Sequence, residues 1–285
     1  MQRNNEAVAR FVFLAAACVC VLCVALICAY LFATALPALA KIGPLQFLGG
    51  VRWDPNRNIF GILPMLVGSV CVTGGAILFG VPVGLLTAVY LAKFAGSRTA
   101  GVLRPLVSLM AGLPSIVYGF FGLVVLVPLL RELLGGPGRG KSILTASILL
   151  GMMILPTIIG VSESALRAVP GSYHEGALAL GASHERSTFF VVLPAAKSGI
   201  LASIVLGVGR AVGETMAVVM VAGNQARLPG GVLEGVRTMT ANIVLEMGYA
   251  QDLHREALIA TATALFVFIL LINLLLARVK RGDRA

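Results

Sequence analysis

An all-α membrane protein with six transmembrane helices is the fold class this sequence predicts. Three observations predict it. Of 285 residues, 58% are hydrophobic and only 12% charged, where a soluble domain carries about 25% charged residues. The apolar residues gather into six runs, near 11–36, 62–92, 103–130, 142–161, 197–222 and 257–277, each reaching the ~20 residues that cross ~30 Å of hydrocarbon. The polar stretches between them leave no room for a soluble domain, the longest lying near 162–196 and 223–256.

The first run, Phe11–Leu36, carries no charge and follows a polar stretch with Arg3 and Arg10. It exceeds the 7–15-residue apolar core of a signal peptide, so an uncleaved first helix is expected despite the small residues at 38–40. With the outer loop after it, this helix makes an N-terminal unit, 1–60, ahead of a core at 61–285. The five cysteines, Cys18, Cys20, Cys23, Cys28 and Cys71, all sit in apolar runs. Metal sites and disulfide frameworks need polar, loop-borne spacings, so these read as small hydrophobes.

Six crossings put both termini on one side. The segments on that side hold twelve lysines and arginines and the opposite set nine. The positive-inside rule therefore places both termini and the 162–196 loop in the cytoplasm of a cell whose inner membrane the chain spans. The net charge of +10 reflects these flanking anchors, because no basic aromatic module of a nucleic-acid binder is present. Pro64, Pro82, Pro114, Pro128 and Pro156 predict kinks. Gly209 and Gly213 flank a charged pair at small-x-x-x-small spacing and predict close helix packing. In the 223–256 loop, Val232, Val236, Met239, Ile243 and Met247 fall on one face of a short helix, set on the outer membrane surface or against the bundle mouth.

The charged pair is Arg210 and Glu214. Intramembrane charges are costly and mark functional sites. At i and i+4 the two share a helix face, and Arg210 lies roughly 20 Å along a helix from Lys197, near the midplane. A guanidinium fork suits a tetrahedral oxyanion. The expectation is an anion that competes with Glu214 for Arg210; the alternative is a fixed ion pair locking helices together. Thr215, Asn224, Ser115 and Tyr118 are further candidates for lining the path, with helix–helix hydrogen bonding as their ordinary role.

In the polar loop, Val169-Pro170-Gly171-Ser172 stops one helix and opens another. There follow Glu175-Gly176-Ala177, Gly181 and Leu193-Pro194, with Val191 two positions before Leu193. This spacing resembles the EAA loop of ABC-importer permeases, with Gly176 and Val191 as mild departures. The resemblance implies two short helices that dock on an ATPase subunit. Further stretches, MAGLPSIVYGFFGL at 110–123, GVGRAVGETMAVVMVAGN at 207–224 and TMTANIVLEMG at 238–248, resemble the PstC family of phosphate-importer permeases. That resemblance implies the type I ABC importer permease fold. It also implies a second permease subunit (PstA-like), an ATPase dimer (PstB-like) and an extracytoplasmic phosphate-binding protein (PstS-like). ATP would be used by the partner ATPase, with no cofactor on this chain, which lacks a G-x-x-x-x-G-K-[ST] loop. A sulfate or molybdate importer permease is the alternative. No nucleophile and base share a membrane cavity, because His174, His184 and His254 fall in loops, so an enzyme is not expected.

Overall fold

The computed structural model describes residues 2–134 and 140–282. Arg139 and Arg284, two of the cations counted for sidedness, lie outside them. The helices long and apolar enough to cross a membrane number five among the described residues, or six when one bent pair counts as a single span.

α1 (Gln2–Ile42) is followed by the short α2 (Pro44–Gly49) and a two-stranded ribbon, β1 (Trp53–Asp54) and β2 (Ile59–Phe60), with Trp53 opposite Phe60. α3 (Leu63–Val89) extends through a widened π turn, Tyr90–Phe94. Next come α4 (Ser97–Gly112), α5 (Ser115–Phe121), a second π turn and α6 (Val127–Leu134). α7 (Ile143–Arg167) leads into α8 (Gly171–Ala179), α9 (His184–Ser187), a third π turn and α10 (Leu193–Ala195). α11 (Lys197–Gly213), α12 (Met216–Val221), α13 (Met239–Glu246) and α14 (Asp252–Gly282) complete the chain.

α7 is the axis. It is the most buried of the crossing helices, while the most apolar stretch of α1 has no buried residue; only its end, at Ala35 and Ala38, enters the core. Small residues on α3 let the two backbones close up: a Cβ at Gly80 would fall 2.8 Å from the Ile154 side chain, and one at Gly84 would fall 2.8 Å from Ile158. α11 also packs on α7, with Gly199 against Ala165 and Gly207 against Ile158. The expectation for Gly209 and Gly213 is corrected here. A Cβ at either would meet nothing within 4 Å among the described residues, so the glycines that pack α3 and α11 on α7 are Gly80, Gly84, Gly199 and Gly207, and the 209/213 face of α11 is open among the described residues.

Buried side chains form three clusters, two of which include residues of α7. The middle one includes Leu149, Met153, Ile154 and Val221. One end holds Phe47, Trp53, Phe60, Met239 and Leu258, and the other Leu166, Val192 and Ile200. α1 leans on α14, through the edge-to-face rings Phe32 and Phe266 and the ion pair Lys41–Glu256 at 2.9 Å. These contacts run antiparallel, so α1 begins and α14 ends at the same end of the bundle. Cys18, Cys20 and Cys23 are exposed on α1; their apolar environment is the outer surface of the bundle, not its core.

Two predicted spans are interrupted. The run at 103–130 breaks at Leu113–Pro114, where Leu113 adopts extended backbone (ψ 130°), as proline imposes on the residue before it. The crossing piece is Ser115–Leu134, and α4 is a separate helix. The run at 197–222 breaks at Glu214, also extended (ψ 135°). Before it, the 184–195 segment meets α11 at 69°. Pro64 sits in the first turn of α3, where it disturbs nothing. Pro128 and Pro194 each lie two residues beyond a π turn, the kind of local adjustment by which a membrane helix accommodates proline.

The 232–247 stretch forms a helix only from Met239. Its Thr238 side chain caps that helix by accepting from Ala241 N at 3.2 Å. Val232 is exposed, while Val236 and Met239 are buried. Backbone oxygens of Val232 and Glu234 accept from Leu144 and Ile143, capping α7. The segment is thus folded into the bundle mouth, not laid on a surface.

Candidate functional site

The two breaks lie side by side. α5 and α12 pack closely, with Gly119 against the backbone of Ala217 and Gly122 against Val221. Both short helices start just after their breaks and run the same way. Tyr118 reaches back across its break: its hydroxyl donates at 2.8 Å to the Met110 carbonyl at the end of α4, which also accepts from the Leu113 amide at 3.4 Å. Ser115 is half-buried in the first turn of α5.

Glu214 has left the helix that Arg210 occupies. Its Oε1 accepts from the Ala217 amide at 3.2 Å, capping α12, and its carbonyl accepts from the Thr240 hydroxyl at 2.9 Å. The expected i,i+4 sharing of one helix face is therefore corrected: the helix ends at Gly213, and among the described residues no ion pair joins Arg210 to Glu214. Arg210 is exposed in the last turn of α11. Arg210, Glu214, Thr215, Ser115 and Tyr118 thus surround the paired breaks.

Asn224 lies apart, at the far end of α12. It takes a left-handed backbone (φ 54°), and its Nδ2 donates to the Val219 carbonyl at 2.8 Å. Its backbone oxygen accepts from Arg237 Nε at 3.1 Å. That is a helix-ending role. Its Oδ1 is buried with no partner.

The 168–196 loop forms α8, α9 and α10 around two edge-to-face histidines, His174 and His184, with ring centroids 4.9 Å apart. His174 Nδ1 bonds Ser187 Oγ at 2.7 Å, and His184 Nε2 bonds the Lys93 carbonyl at 3.0 Å. Glu175 and Gly176 are exposed on α8 and Ala177 is half-buried. Gly181 takes φ +84°, the left-handed turn that ends the first short helix. Leu193 is half-buried and Pro194 exposed. Leu180 is 91% exposed and Phe190 76%, which leaves large apolar side chains standing at this end of the bundle. The nearby Glu185 carboxyl is held below its ordinary range by its own backbone amide and the Ser183 hydroxyl.

Two charged clusters were not singled out from the sequence. Glu163 Oε1 accepts from both Arg104 Nε and Arg167 Nε at 2.9 Å. The i,i+4 spacing of Glu163 and Arg167 was a usable signal; Arg104 is distant in sequence. At the other end, Glu246 is buried and accepts from Arg237 at 2.6 Å, from the Trp53 indole at 2.8 Å and pairs with His254 at 2.9 Å. No local pattern announces it.

With this geometry established, likeness to known proteins is informative. A family model described as binding-protein-dependent transport system inner membrane component matches residues 80–282. The chain belongs to this family. Members are permease subunits of ABC importers, not enzymes in their own right, and they work with an ATPase and a binding protein. The chain is 37% identical over 247 residues to the probable ABC transporter permease protein YqgH of Bacillus subtilis, covering 84% of this chain and 80% of the relative. It is 34% identical over 261 residues to the phosphate transport system permease protein PstC of Mesorhizobium japonicum, covering 85% and 80%. Among solved structures, an inward-facing MetNI methionine ABC transporter superposes with TM-score 0.57 at 20% identity, covering 81% of this chain and 99% of that one. A bacterial ABC transporter involved in alginate import does so at 0.57 and 17%, covering 89% and 94%. The fold is that of type I ABC importer permeases, and the chain is a multi-pass membrane protein.

Proposed function

We propose that this permease forms one half of the translocation path of an ATP-driven phosphate importer. The observation that carries the reading is Arg210: an exposed guanidinium inside an apolar span, beside two helix breaks and free of its expected carboxylate partner. Such a charge belongs against a water-filled path or another subunit. A guanidinium fork matches a phosphate oxyanion. The PstC name borne by relatives supports phosphate over sulfate or molybdate.

The remaining assignments follow from this reading. The open face at Gly209 and Gly213 meets the PstA-like second permease. Leu180, Phe190 and the exposed face of α8, with Glu175, Gly176, Ala177 and Gly181, sit in a cleft of the PstB-like ATPase, and Leu193-Pro194 joins that surface to α11. A PstS-like binding protein delivers phosphate at the opposite end, near Trp53 and α13. That end faces outward from the inner membrane, with both termini in the cytoplasm. Ser115, Tyr118 and Thr215 offer hydrogen bonds along the path; Asn224 shapes its outer end. The chain itself holds no ATP.

The test is uptake of radiolabelled phosphate by phosphate-starved cells lacking this chain, with and without its restoration, in the presence of excess sulfate or molybdate. Restored uptake that ignores both competitors is expected. Uptake of another oxyanion in place of phosphate would discard the substrate and keep the permease.

A further inference from the structure

α4 is loosely embedded: Ala100 is the one buried residue of Ser97–Gly112. Two polar tethers reach it. The Tyr118 hydroxyl holds the Met110 carbonyl at its end, beside the Leu113–Pro114 break. Arg104 donates from Nε to Glu163 at 2.9 Å and from a terminal nitrogen to the Leu91 carbonyl at 3.4 Å. Leu91 belongs to the π turn Tyr90–Phe94. On that turn sits the 168–196 loop, through His184 on the Lys93 carbonyl at 3.0 Å and on the Phe94 ring at a centroid distance of 5.0 Å. Arg167 also donates to both Glu163 and the Leu91 carbonyl, each at 2.9 Å.

We propose that Glu163 is a positioning residue, a latch that ties α4 to the turn carrying the ATPase-docking loop, so that movement of that loop reaches the Arg210 site through α4. This rests on the importer reading. The argument is the asymmetry of the two arms. α7 is fixed by the core, so the Glu163–Arg167 arm, four residues apart on one helix, is permanent. α4 is not fixed, so the Arg104 arm is the one that releases. A carboxylate that is 11% exposed would be left as a buried unpaired charge if its only partner departed, a heavy cost. The second guanidinium keeps Glu163 paired while Arg104 is away, which lets the latch open and reclose.

The experiment is hydrogen–deuterium exchange of α4 amides in the complete complex with its second permease and ATPase, before ATP is added. Arg104→Gln removes the releasing arm at a half-exposed position and is expected to raise α4 exchange about tenfold, the scale of one charge-assisted hydrogen bond. Arg167→Gln, which does not bridge to α4, is expected to leave α4 exchange at the wild-type rate. Glu163→Gln is expected to match Arg104→Gln in exchange and to lower phosphate transported per ATP hydrolysed. Equal effects of Arg104→Gln and Arg167→Gln on α4, or none from Arg104→Gln, overturn the latch. Failure of the wild-type complex to take up phosphate overturns the substrate reading instead, and the exchange comparison still decides the latch.

Discussion

The Trp53 indole N–H donates to Glu246 Oε2 at 2.8 Å, joining residues 193 positions apart. The same carboxylate takes Arg237 and His254, so one buried side chain fastens the ribbon after α2, the 223–238 loop, α13 and the start of α14.

Glu246→Ala leaves the part-buried Arg237 without its anion, though still bonded to Asn224 O and Asn242 Oδ1, and is expected to destabilise the protein by about 3 kcal/mol, the low end of the range for breaking a buried pair. Glu246→Gln keeps an acceptor and costs less. Denaturant unfolding in detergent checks both; equal stability of Glu246→Ala and wild type would remove the cluster's structural role.

The glycine contacts predict an opposite pair of outcomes. Gly80→Leu drives a side chain into Ile154 and the Gly151 carbonyl, and overpacking of this kind costs about 1–3 kcal/mol. The Cβ of Gly209→Ala meets no neighbouring element within 4 Å among the described residues, and replacing a helical glycine gains up to about 1 kcal/mol in helix propensity. Thermal unfolding of the isolated subunit reads the contrast. A loss of assembly in Gly209→Ala, with the subunit itself intact, would place the second permease on that face.

Arg210→Ala is expected to abolish phosphate uptake, and Arg210→Lys to reduce it, because an ammonium cannot offer a bidentate fork. Glu214→Gln retains an oxygen for the Ala217 amide and is expected to keep stability near wild type. Glu214→Ala loses the cap, at about 0.5–2 kcal/mol. Uptake and unfolding measured together separate the two residues; normal uptake by Arg210→Ala would discard the site.

Leu180→Asp places a charge on a side chain that is 91% exposed. It is expected to leave the subunit's melting temperature unchanged while lowering co-purification of the ATPase at least about tenfold, as loss of an apolar anchor does. Gly181→Val, by contrast, forces a β-branched residue to φ +84° and is expected to destabilise α8 itself by more than about 1 kcal/mol. Exchange protection of residues 171–180 distinguishes the two.

Much of this protein is local in origin. Hydropathy alone decides that four of the six runs are continuous membrane-crossing helices, because a bilayer leaves an isolated apolar run few other ways to pair its backbone; the runs at 103–130 and 197–222 are broken. The loop's Glu175, Gly181 and Leu193-Pro194 are legible by spacing, and the stop at Pro114 follows from proline's effect on its predecessor. The tertiary structure decided what those signals do not contain. Nothing in Gly213-Glu214-Thr215 forbids a continuous helix. The break is held by partners from elsewhere, the Thr240 hydroxyl on the Glu214 carbonyl and the Ala217 amide on its carboxylate, which replace helical bonds. That exchange separates Arg210 from the residue that sequence spacing paired with it. In the same way the pattern that nominated Gly209 and Gly213 applies equally to Gly80 and Gly84, and only the approach of α7 distinguishes them. Periodicity reports which residues share a face; which neighbour covers that face is a property of the assembled bundle.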